Sequence, residues 1–182
     1  MRRRHPDLPQ LWLVSDARTD RVLDAAIRAL PRGSGVIFRH FHLPPVERAA
    51  RFAGVQRLCR RHRHLAVLAG SAGQARRAGA VAAYGAPATL SRGPALVRLM
   101  TAHSHAEIAA AQRVRADAIL LSPVFPTRSH PGARTLGALR FRLLAARAPV
   151  PVIALGGMNL RAAKRLRGFA WAAIDGLNPK DS

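Results

Sequence analysis

Short apolar runs separated by polar, helix-spaced stretches set the rhythm of this chain. Leu11–Val14, Val36–Arg39, Leu65–Ala69, Ala80–Tyr84, Leu96–Met100, Ala118–Leu121, Val150–Leu155 and Phe169–Ile174 are long enough for buried strands and too short for helices. Between them, Val22, Ala25, Ala26, Ala29 and Leu30 follow helical spacing over Asp20–Leu30, with Thr19 or Asp20 placed to cap the start. Pro44-Pro45 opens a second helix, where proline costs least, and it runs through Arg60. Gly73–Arg77 forms a short helical segment. Ser104 caps a helix to Val114, with Glu107 completing a capping box. Leu139, Leu143 and Leu144 mark a helix over Leu136–Arg147, and Asn159 caps a last one to Arg167.

Strands alternating with helices call for parallel pairing through crossover helices. Such a set closes as a (β/α)8 TIM barrel or stays open as a doubly wound sheet, and the count of eight favours the barrel. The expectation is an α/β fold, one compact domain over residues 1–182, with no linker, repeat or low-complexity tract. The chain is short for such a barrel, so the loop-like segment Gly85–Pro94 is expected to be trimmed.

Composition changes this picture little. A 49% hydrophobic content excludes disordered and collagen-like classes. The basic start meets only a brief apolar run before Asp16, too short for a signal peptide. No run approaches the roughly 18 apolar residues of a spanning helix. A single cysteine, Cys59, excludes an internal disulfide and a cysteine-built metal site. These features describe a cytoplasmic protein without membrane association. The net charge of +21 invites a nucleic-acid reading. However, all basic residues except Lys164 and Lys180 are arginine, spread along the chain with no aromatic platform beside them. Arginine-rich surface composition accounts for the charge, with attraction of phosphorylated small molecules as a second role. Nucleic acid is not the expected partner, and nothing in the sequence assigns an oligomeric state.

Candidate chemistry collects at the strand ends, where barrels place their sites. After the sixth strand, Thr127, Arg128, Ser129 and His130 bring hydroxyls, a guanidinium and an imidazole into one loop, a donor set that suits an oxyanion. It reads equally as a polar surface loop. Gly156-Gly157 after the seventh strand lets backbone N–H groups approach an anion, or makes a tight turn only. Ser15-Asp16, Arg39-His40, Ala69-Gly70, Gly85, Thr101–His103, Ser122 and Asp175-Gly176 fall at the remaining ends.

Three stretches carry a resemblance: Ser122-Pro-Val-Phe-Pro-Thr-Arg-Ser-His-Pro-Gly132, Val152-Ile-Ala-Leu-Gly-Gly-Met158 and Thr101-Ala-His-Ser104. Taken in chain order they resemble the thiamine phosphate synthase family, which includes the related thiazole tautomerases. The matches cover roughly Thr101 to Met158; the preceding hundred residues match in rhythm only. The resemblance implies a barrel joining a pyrimidine diphosphate to a thiazole phosphate, with magnesium helping pyrophosphate leave. It implies phosphate or diphosphate contacts at Arg39, Thr101, Thr127, Ser129 and Gly157, and the double-glycine reading adds Gly156. His103 becomes a candidate proton-transferring residue, as in the tautomerases, since imidazole titrates near working pH. His130 stands where the family has lysine, a candidate for acid–base work and, more readily, for donating a hydrogen bond to phosphate.

The chain also departs from the family pattern. Ile37, Arg39 and Phe41 occupy a glutamine-x-arginine-x-lysine pattern, Ala69-Gly70 replaces an asparagine–aspartate pair, and an expected aspartate falls near Pro87. Between Glu47 and Glu107 there is no Asp or Glu, whereas magnesium relies on carboxylates. No metal ligand is assigned and no cofactor is expected; His40 and His42 lack partners for a metal site. The reading is a barrel for a thiazole-phosphate-like ligand, a synthase by resemblance but without its magnesium carboxylates. Its alternatives are a metal-independent thiazole tautomerase using His103 and a non-catalytic binder of a phosphorylated ligand.

Overall fold

The computed structural model describes residues 7–129 and 132–177. Eight parallel strands close into a barrel in sequence order: β1 (Leu11–Val14), β2 (Gly35–Phe38), β3 (Leu65–Ala69), β4 (Ala82–Gly85), β5 (Val97–Ala102), β6 (Ala118–Leu121), β7 (Val152–Leu155) and β8 (Ala170–Ala173). β1 pairs with β8, Trp12 beside Ala172, and that pairing closes the ring. Helices α1 (Asp20–Ala29), α2 (Pro45–His62), α3 (Ala72–Arg77), α4 (Pro87–Leu90), α5 (His105–Arg113), α6 (Gly137–Ala146) and α7 (Leu160–Lys164) connect them. The expected closed (β/α)8 barrel is therefore present, and no described helix is long and apolar enough to cross a membrane.

Strand side chains alternate between two cores. Trp12, Val14, Ile37, Val67, Leu99, Leu120 and Ile153 fill the barrel interior, while Leu13, Phe38, Leu68, Met100, Leu121 and Val152 pack outward against the helices. Trp12 needs the space that Gly35 leaves, because a Cβ there would collide with the indole. The inward parity continues past the strand ends and brings Arg39, Thr101, His103 and Ser122 toward the barrel mouth.

Several boundaries differ from the sequence reading. β5 runs on to Ala102, so Thr101 is a strand residue and His103 immediately follows the strand. The segment after β4 contains the one-turn helix α4, opened by Pro87. Thr19 does not cap α1; its hydroxyl donates to the Asp16 carbonyl (3.1 Å), while the Asp16 carboxylate caps the 3-10 turn Ala17–Thr19. Leu139 and Leu143 do not form the inner face of α6. They are 73% and 59% exposed, and Phe141 and Ala145 face the sheet instead. Ser71 and Gln74 form a capping box on α3 that the sequence reading missed.

Candidate functional site

Two connected chambers open at the C-terminal ends of the strands. The larger, about 780 Å³, is bordered by Arg39, Tyr84, Thr101, His103, Ser122 and Ser129. The smaller, about 590 Å³, lies between Thr127-Arg128, Gly157, the start of α7 and Asp175-Gly176. Thr127, Leu155, Gly156 and Ile174 line both. The structure thus brings together Arg39, Thr101, His103, Thr127, Ser129, Gly156 and Gly157; His130 lies outside the described residues.

Gly156 and Gly157 adopt φ values of 93° and 64°. A Cβ on Gly157 would run into the Pro126 carbonyl and Phe125, and one on Gly156 would press on Pro123. The glycine pair therefore lets the loop after β7 lie directly against the loop after β6. Backbone bonds from Val124 N to Leu155 O (2.9 Å) and Phe125 N to Gly156 O (3.0 Å) fix that contact. The tight-turn reading accounts for the conformation, and the turn so made forms the floor shared by both chambers.

His103 is held in one orientation. Its Nδ1 lies 2.8 Å from the Ser122 carbonyl oxygen, which can only accept, so Nδ1 carries the proton. Nε2 is left as the ring atom available to a ligand. The His103 backbone N–H donates to Glu107 Oε2 (3.1 Å), and Glu107 N donates to Ser104 Oγ (3.3 Å). The expected capping box is thus modified: Glu107 reaches past the cap to the residue that carries the imidazole.

Arg18 joins three loops. Its guanidinium pairs with Asp16 (2.9 Å) and Asp175 (3.6 Å) and donates to Ser129 Oγ (3.1 Å). Burial alone would raise the Asp16 pKa, but hydrogen bonds and charge from Arg18 hold it below the ordinary carboxylate value. Burial raises the Tyr84 phenol, partly offset by the Arg39 charge. Tyr84 was not singled out in the sequence because it lay inside an apolar strand; its inward parity was the available signal.

Among the described residues, the ends of β3 and β4 bring no carboxylate to this mouth. β3 and β4 end in Ala69-Gly70 and Gly85-Ala86, and Asp16 and Asp175 are both engaged by Arg18. Among the described residues no group of three or more His, Cys, Asp or Glu side chains is placed to hold a metal ion. The residues present do not fit magnesium.

A closed parallel barrel with a two-chambered cavity at its strand ends defines the structural class. The model of the family described as thiamine monophosphate synthase matches residues 11–174, and the chain belongs to that family. A putative thiamine-phosphate synthase 2 from Aquifex aeolicus is 39% identical over 59 residues, 32% of each chain, so the match spans about a third of that relative. Among solved structures, a thiamine phosphate pyrophosphorylase from Pyrococcus furiosus superposes with a TM-score of 0.77 at 21% identity, over 90% of this chain and 84% of that one. One from Bacteroides thetaiotaomicron gives 0.60 at 16% identity, over 90% and 81%. At these identities the structural likeness speaks for the fold.

Proposed function

We propose that this protein binds a phosphorylated thiazole and moves a proton between two positions of it, using His103 and no metal ion. Thr127, Gly156 and Gly157, at the floor and the smaller chamber, hold the phosphate. Arg39, Thr101 and Ser129 face the remainder of the ligand, and the Arg39 guanidinium adds positive charge to the mouth that favours an anionic ligand. The uncommitted Nε2 of His103 accepts the proton and returns it, so the reaction needs no second substrate. The carrying observation is the fixed tautomer of His103, whose one uncommitted nitrogen belongs to a residue lining the cavity. The absence of a carboxylate set for magnesium among the described residues favours this reading over the condensation that names the family.

The test runs two assays on one preparation. Isomerisation of the thiazole phosphate carried out in chelator supports the proposal. Thiamine phosphate formed from pyrimidine diphosphate and thiazole phosphate only when magnesium is added would overturn it. Binding of thiazole phosphate without turnover in either assay would identify a non-catalytic binder.

A further inference from the structure

The backbone of Arg39 is held in an unusual way. It follows the last residue of β2, yet its N–H donates to the Ser15 hydroxyl (2.9 Å) and its carbonyl accepts from Arg48 Nε (2.9 Å). Both backbone groups of a residue just past the ladder are therefore taken by side chains from β1's end and from α2. Arg48 also donates to the Ala69 carbonyl at the end of β3 (2.6 Å) and packs its guanidinium over Phe41, 4.8 Å from the ring centre.

Ser15 is itself fixed from behind. It is wholly buried, and its Oγ lies 2.8 Å from His40 Nδ1. The His40 ring stacks on Phe38 with centroids 4.5 Å apart, and its Nε2 sits 2.8 Å from Asp20 Oδ1, short but off the line of a good hydrogen bond. Arg51 pairs with Asp20 and Asp24 beyond it. Donors run in one direction, from Arg39 N–H to Ser15, from the Ser15 hydroxyl to Nδ1, and from Nε2–H toward Asp20. Serine, histidine and aspartate in contact invite comparison with a nucleophilic triad, but a serine with no exposed surface cannot meet a substrate.

His40 has φ 35°, a left-handed conformation that a residue with a side chain keeps only when its surroundings over-determine it. That conformation turns the chain away directly after Arg39. We infer that Ser15, backed by His40, and Arg48 are positioning residues that fix the Arg39 guanidinium in the larger chamber. The inference rests on the proposed reading that Arg39 contacts the ligand.

Calorimetric titration with thiazole phosphate tests it. Arg39→Ala weakens binding about tenfold or more, as loss of a charge-assisted contact does. Ser15→Ala and Arg48→Met each weaken it several-fold, Ser15→Thr restores affinity, and Ser15→Ala costs nothing more in an Arg39→Ala background. Equal losses from Ser15→Ala in both backgrounds would assign Ser15 a purely structural role and overturn the inference. So would full affinity in both Ser15→Ala and Arg48→Met while Arg39→Ala binds weakly. If Arg39→Ala binds as the unmutated protein does, or the unmutated protein does not bind, the reading of Arg39 itself fails and the inference falls with it. Arg48, partly exposed and on α2, keeps the test usable should Ser15→Ala not fold.

Discussion

Individual residues at the mouth are committed before any ligand arrives. His103 spends Nδ1 on a carbonyl, Asp16 and Asp175 are both taken by Arg18, and Gly157 spends its conformational freedom on contact between two loops. Gly157→Ala would force a Cβ against the Pro126 carbonyl at φ 64°. We expect a loss of about 2 kcal/mol or more, and a fall in Tm of about 2–4 °C for each kcal/mol in a chain of this size. An unchanged melting curve would show that the loop yields. Cys59 is buried on the inner side of α2, and burial pushes its thiol up to about 12. The folded protein should leave it unmodified by a thiol reagent at pH 7, with labelling only on unfolding.

Elements meet through buried histidines whose titration couples the fold to pH. Burial lowers the pKa of His40, against a smaller opposing effect of Asp20, and burial also lowers that of His64, which meets the Ile27 carbonyl at 3.1 Å. A group whose folded pKa is depressed binds its proton first in the unfolded chain. The neutral histidines therefore contribute stability above their unfolded value of about 6.5, and that contribution is lost as pH falls from there through the folded values. Denaturant midpoints should decline between pH 7.5 and 5.5, and His40→Gln should flatten the decline. The same slope in that variant would remove His40 from the account.

At the same scale lies the limit of the sequence. Eight apolar runs gave the strands and their parallel order, because each strand is buried on both faces. Glu107 and Ser104 were legible as a cap, but that the carboxylate would reach His103 depended on where β5 ended. His40 read as an isolated imidazole beside His42; its role needed Ser15 and Asp20, which the pairing of β1 with β2 brings near. α6 misled because Leu139 and Leu143 satisfy helical spacing while facing outward. Arg39, Thr101, Thr127, Ser129, Gly156 and Gly157 were placed through family resemblance and strand-end position, and the shared chambers join them in space.

For the whole molecule, the chain carries a net charge of +21 and the proposed ligand is an anion. If that field steers the ligand, association of thiazole phosphate slows severalfold as salt rises from about 0.05 to 0.5 M, with dissociation little changed. A salt-independent association rate would make the charge compositional only. The central claim, however, concerns one proton and one nitrogen. The most direct measurement follows solvent deuterium entering the thiazole phosphate by NMR in the presence of chelator, for the unmutated protein and for His103→Ala. Exchange is expected without metal and falls by about 10²–10⁴ in the variant, while thiazole phosphate still binds. Exchange that survives in His103→Ala, or that appears only with magnesium, would contradict that claim.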